Sequence, residues 1–278
     1  MSSPALPTTT VATTTPEQKT PQVEHPSVEA LRMFVRNPSA IVGIVLFLFV
    51  LTVSIVGPWV LDADPFAISA APFTPPFSAE AWLGTDYLGR DVFTTLIYGG
   101  RSTLLVGAFA AVLSVLIGIT LGAFAGYYGG KVDAVLMRIT EFFQVLPALL
   151  FAMVVVTLFT PTLVTVTVAI GIVIWPGTAR LTRGEFIRYR NLEFVRAERA
   201  IGAGNARIIW KVILPNALPP LIVSAALAIG GAILFAAGLS FLGLSDPNQM
   251  SWGLMIGASQ PYVLSCWWAV TFPGLAIF

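Results

Sequence analysis

No charged side chain occurs between Arg36 and Asp62, between Arg101 and Lys131, between Glu141 and Arg180, or between Lys211 and Asp246. Such stretches constrain the fold more than any other feature of the chain. A bilayer core of about 30 Å is crossed by about 20 apolar residues in a helix, because an unsatisfied backbone group cannot face lipid. The expected fold class is therefore all-α and polytopic. Six spans are expected, at about 41–61, 104–127, 134–159, 163–179, 218–239 and 266–278. Phe159-Thr160-Pro161-Thr162 separates the third from the fourth, since a proline interrupts a helix. The sixth holds about thirteen residues, roughly 20 Å at 1.5 Å each, and is expected to be a truncated span.

Composition agrees. The chain is 56% hydrophobic and 10% charged, against about a quarter charged in a soluble domain. A net charge of +1 gives no reason to expect nucleic acid. Cys266, alone, excludes an intrachain disulfide and a multi-thiolate metal site. Residues 1–30, rich in Thr, Pro and Ser, read as a disordered cytoplasmic tail. They lack the basic start, apolar core and small-residue cleavage site of a secretory signal, so the first span is expected to direct insertion. With the amino terminus inside, Lys19, Arg32, Arg36, Lys131, Arg138 and every basic residue from Arg180 to Lys211 lie on the cytoplasmic side. Only Arg90 and Arg101 fall outside, an asymmetry that the reverse orientation would invert.

Two loops and a glycine stripe stand out. Gly118, Gly122 and Gly126, four apart, share one helix face and suit close helix packing, although glycine is also common in membrane helices. The outer loop, 62–100, contains Gly84, Thr85, Asp86, Gly89, Arg90 and Asp91. These charges either bind a partner or pair with one another in a glycine-turned loop. The cytoplasmic loop, 180–215, reads as short helices. Within it Leu192, Val195 and Arg199 share a face, Glu193 and Arg196 can pair at i,i+3, and Gly202-Ala203-Gly204 is a stop. A second amphipathic piece, 208–214, then runs into Pro215 and the fifth span. A short amphipathic helix joined to a span can dock in a partner's groove and pass on its motion; a loop that merely fixes topology is the alternative.

At Arg196-Ala197-Glu198, Gly202, Val212 and Leu214-Pro215 the cytoplasmic loop resembles the signature of permease components of binding-protein-dependent ABC importers. That signature is Glu-Ala-Ala, three residues, Gly, nine residues, then Ile-x-Leu-Pro. Arg196 stands where the family has glutamate, Glu198 where it has alanine, and Val212 replaces isoleucine. Further segments are similar to the second permease type of the dipeptide and oligopeptide branch. These are Arg36-Asn37-Pro38-Ser39-Ala40, Trp82 to Phe93, Gly126-Tyr127-Tyr128-Gly129-Gly130, Ser240-Phe241-Leu242-Gly243-Leu244 and Ser251-Trp252-Gly253. The resemblance implies a type I importer permease fold in a bacterial or archaeal cytoplasmic membrane. It also implies a homologous permease partner, two ATPase subunits that bind ATP and Mg and engage the loop at Gly202, and an external substrate-binding protein. The implied cargo is di- or oligopeptides, with nickel chelates, glutathione and opines as alternatives.

A chain hydrolysing ATP itself would need a glycine-rich phosphate loop ending Gly-Lys-Ser or Gly-Lys-Thr. Gly130-Lys131 is followed by Val132 and preceded, five residues earlier, by Ala125, so no enzyme activity is expected here. The one histidine, His25, lies in the tail, and no paired carboxylates or metal-ligand cluster stand in a span. An ion-coupled carrier would place ionisable groups at the bilayer midplane. Spans one, two, four and five have none there, which leaves that reading, with a passive channel, as the alternative.

Overall fold

α1 (Pro38–Leu61) opens a computed structural model that describes residues 37–278; the tail and its basic residues lie outside them. The chain divides after Phe47 into two units, and all packing below belongs to the second, Leu48–Phe278. There α2 (Val92–Tyr128), α3 (Gly130–Val145), α4 (Ala148–Leu158) and α5 (Leu163–Tyr189) are followed by the short α6 (Glu193–Ala200). α7 runs unbroken over Asn205–Phe241, and α8 (Trp252–Ser259) and α9 (Trp268–Ile277) complete the order. Among the described residues the extended pairings are two isolated bridges, Ile68 with Arg90 and Thr85 with Asp91.

α2 is the spine, because three apolar clusters succeed one another along it. Val92 joins Trp252, Met255 and Trp268 at one end. Val106, Ala110 and Ala111 meet Ala152, Ile170 and Ala236 in the middle. Ala123 and Tyr127 join Phe186, Val195 and Ile213 at the other end. Alanine and glycine dominate the inner faces, as they do where close backbone approach rather than expulsion of water holds helices together. Bulky apolar side chains point outward: Trp59 is 78% exposed and Leu227 74%. Lipid suits that surface and water does not.

α1, α2, α5 and α7 are each long and apolar enough to cross a membrane. The expected continuous third span, 134–159, is corrected: it is α3 and α4, bent by 88° between Val145 and Ala148. Pro147 explains the break, because its ring disfavours helical backbone at the residue before it, and Leu146 is extended at ψ 132°. The second, fourth and fifth expected spans begin or end inside longer helices, since helices continue past the membrane edge. The amphipathic piece at 208–214 and the expected fifth span lie in one helix, α7. Ile208–Ile213 is a widened turn within α7, where the Leu214 N–H bonds to the Ile209 carbonyl five residues back, just before Pro215, which has no N–H to give. The apolar segment expected as a sixth span contains the short α9.

Candidate functional site

The glycine stripe of α2 lies against α5. A Cβ on Gly118 would stand 2.6 Å from the Thr178 Cβ, and one on Gly126 would stand 2.5 Å from the Phe186 Cβ. Gly122 faces the Ala179 carbonyl and Thr182 in the same way. The two backbones therefore touch along the length that leads to α6. Polar ties finish this end. Arg190 donates to the Gly126 carbonyl at 2.9 Å, and Arg183 grips Asp133 of α3 with two bonds of 2.5 and 2.6 Å. Paired donors on both carboxylate oxygens fix orientation as well as distance.

α6 rests on that platform. Val195 is fully buried in the cluster with Phe186, Ile208 and Ile213, whereas Arg196, Ala197 and Ala200 are exposed and Ile201 is 76% exposed. A single buried residue in a two-turn helix leaves most of its circumference free. The helix is closed by a two-bond C-terminal motif: the Gly202 N–H bonds to the Arg199 carbonyl and the Ala203 N–H to the Glu198 carbonyl, both at 3.0 Å. Gly202 supports this at φ +85°, a left-handed value that costs little without a Cβ. Nothing lies within 4 Å of where a Cβ on Gly202 would stand, so handedness rather than room selects glycine here.

The signature residues fall into two sets. Arg196, Ala197 and Gly202 are at the surface, while Val212, Leu214 and Glu198 are partly buried and Pro215 is exposed about three turns into α7. Glu198 turns toward the fold: its Oε2 lies 3.7 Å from Arg207 Nε and has no hydrogen bond. The expected face of Leu192, Val195 and Arg199 divides, because Leu192 is 41% exposed. Among the described residues no ion pair joins Glu193 to Arg196, a correction that leaves Arg196 free on the outer face.

Two residues here were not singled out from sequence. Tyr127 in the last turn of α2 is 7% exposed, with the Arg199 guanidinium 5.3 Å from its ring centroid. Its hydroxyl donates to Asn205 Oδ1 at 2.7 Å. An aromatic two residues before a Gly-Gly helix end was the available signal.

At the far end of α2 the Asp62–Asp91 loop is held by its own charges. Asp86 Oδ1 accepts from the N–H groups of Leu88 and Arg90, and Asp91 caps α2 through Thr94 N–H at 2.9 Å. Thr85, fully buried, donates to the Ala71 carbonyl and accepts from the Thr74 N–H. Arg90 lies over the Phe66 ring at 5.2 Å. The expected pairing of Asp86, Arg90 and Asp91 with one another is corrected, because the carboxylates go to backbone N–H groups. Gly84 and Gly89, at φ +80° and +82°, let the chain press against Thr74 and Ala70.

The family described as "Binding-protein-dependent transport system inner membrane component" matches residues 118–278, and "N-terminal TM domain of oligopeptide transport permease C" matches 26–78. The dipeptide transport system permease protein DppC of Bacillus subtilis is 39% identical over 251 residues, 90% of this chain and 78% of that protein. The di/tripeptide permease DppC of Pseudomonas aeruginosa is 37% identical, covering 90% and 84%. The oligopeptide permease OppC of Haemophilus influenzae is 38% identical, covering 88% and 80%. The fold is similar to a chain of the MetNI methionine ABC transporter in an inward-facing conformation, with a TM-score of 0.55 at 18% identity over 66% of this chain and 89% of that one. The chain belongs to the binding-protein-dependent transport system inner membrane components, the multi-pass permease subunits of ABC importers.

Proposed function

We propose that this permease moves di- or oligopeptides across a bacterial cytoplasmic membrane into the cell, driven by ATP hydrolysis on separate subunits. Its assembly contains a homologous permease, two ATPase subunits that bind ATP and Mg, and an external substrate-binding protein. The peptide cargo is taken from the relatives, whose names specify dipeptides, di/tripeptides and oligopeptides. The observation that carries the coupling role is α6. One buried anchor, Val195, holds it against the bundle, and Arg196, Ala197, Ala200 and Ile201 stay uncovered. An exposed apolar residue such as Ile201 beside small alanines suits insertion into a groove of a partner. In this arrangement α6 marks the cytoplasmic end, and closure of the ATPase pair displaces it to alternate access between the two sides.

The test is purification in mild detergent from the native membrane followed by reconstitution. A second permease and ATPase subunits should co-purify, and labelled dipeptide should accumulate in vesicles only with delivery protein and ATP. Dipeptide uptake that persists without ATP, or a chain that purifies alone under conditions preserving a known importer, would overturn the reading.

A further inference from the structure

Connectivity ties α6 to α5 through Arg190-Asn191-Leu192 and to α7 through Gly202-Ala203-Gly204. No heavy atom lies within 4 Å of a Cβ placed on Gly202 or Gly204, so side-chain contacts do not brace those two positions. A braced path lies beside them. Tyr127 is buried where the ends of α2, α5, α6 and α7 converge, in the cluster that holds Phe186, Val195 and Ile208. Its ring face takes the Arg199 guanidinium of α6 and its hydroxyl bonds to Asn205, the first residue of α7. Such a cation over an aromatic face and a short hydroxyl bond both lose energy when the groups move apart. The neighbouring Gly126 backbone is pressed on Phe186 and bonded to Arg190 of the segment after α5, so the end of α2 is held against α5 as well.

We propose that Tyr127 is a positioning residue that carries displacement of α6 directly into α2, so that the helix lining the longest part of the bundle moves with the ATPase contact rather than after α7. The inference rests on the reading that α6 engages an ATP-hydrolysing partner. Arg199 supplies the link from α6, and Asn205 keeps α2 and α7 in register while they move.

The test uses the reconstituted complex with its delivery protein and reads peptide uptake and ATP hydrolysis in the same vesicles. Tyr127→Phe keeps the ring under Arg199 and removes the hydroxyl. Asn205→Ala removes the acceptor, and Tyr127→Leu removes the ring as well. Each of the first two should lower peptide taken up per ATP by about threefold to tenfold, the equivalent of one net hydrogen bond, with subunit ratio and basal hydrolysis unchanged. The double variant Tyr127→Phe/Asn205→Ala should be no worse than either single one, because both break the same bond. Tyr127→Leu should lower the ratio further. Unchanged uptake per ATP in assembled Tyr127→Phe and Asn205→Ala complexes, or strictly multiplicative losses in the double variant, would overturn the proposal even if Tyr127→Leu does not assemble. Wild-type vesicles with no ATP-dependent uptake would instead overturn the parent reading, a result distinct from intact wild-type coupling with indifferent Tyr127 variants.

Discussion

Gly89 and Gly202 sit near opposite ends of α2 with nearly the same backbone, φ +82° and +85°, and quite different surroundings. Gly89 is buried against the Ala70 carbonyl and Ile68, whereas Gly202 faces open space. The same contrast runs through the charges. Asp86 satisfies backbone N–H groups within its own loop and Asp91 those of the first turn of α2, while Arg196 on α6 has no partner among the described ion pairs. One loop is closed on itself, as a structural cap must be. The other is built to stay open on one side, which is the arrangement expected of a surface completed by another chain.

Valine at Gly89 should break this contrast most severely. A left-handed non-glycine residue costs about 1–2 kcal/mol, and overlap with the Ala70 backbone adds about 1–3 kcal/mol. Thermal unfolding in detergent should therefore show a loss of about 2–5 kcal/mol; a change below 1 kcal/mol would mean that the loop is not closed as described. Alanine at Gly202 should cost only the backbone part, about 1–2 kcal/mol, confined to the end of α6 and visible as faster amide exchange at Gly202 and Ala203. Tryptophan there starts from the same uncrowded position, with no heavy atom within 4 Å of its Cβ, and should cost the folded chain about as much as alanine. The two should separate only in the complex, where tryptophan abolishes uptake and alanine weakens it. Equal uptake by both would place the partner elsewhere.

Asp91→Ala gives a smaller effect. Loss of an N-cap costs typically about 1 kcal/mol, and Asp91→Asn should restore most of it, since the amide oxygen can still accept from the Thr94 N–H. Melting of the two variants side by side distinguishes a cap from a delivery-protein contact. A contact would leave both variants as stable as wild type and lower only the response to delivery protein.

The α6 stop at Gly202 was legible because a glycine after a charged amphipathic run has one economical use, and the apolar stretches were legible because length and absence of charge suffice. The 88° bend was missed even though Pro147 announces it: the run around Leu146 is apolar on both sides, and hydropathy does not register direction. Sequence likewise hides the widened turn before Pro215, which lets α7 run through the proline. Neither alternative for the charges of the Asp62–Asp91 loop, a partner or pairing with one another, named backbone N–H groups, because a sequence shows charges and hides those groups. The role of Tyr127 was hidden for a related reason: its place before Gly129-Gly130 was a signal, but its partners Arg199 and Asn205 lie more than seventy residues along the chain.

Glu198 and Arg196, the two departures from the family signature, are separated by the same contrast between closed and open surfaces. Glu198 is drawn toward Arg207 at 3.7 Å, so this substitution is answered within the chain. Arg196 is exposed and has no ion pair among the described residues. Arg196→Glu, which restores the family residue, should leave the melting temperature unchanged, because an exposed substitution removes no packing. Its effect should appear only in the complex: if the partner groove carries an acidic group opposite Arg196, reversal of charge lowers ATPase co-purification at low salt, and added salt narrows the gap between variant and wild type. Co-purification that is equal at every salt concentration would show that the partner does not read charge at this position, leaving Ile201 and the alanines of α6 as the contact.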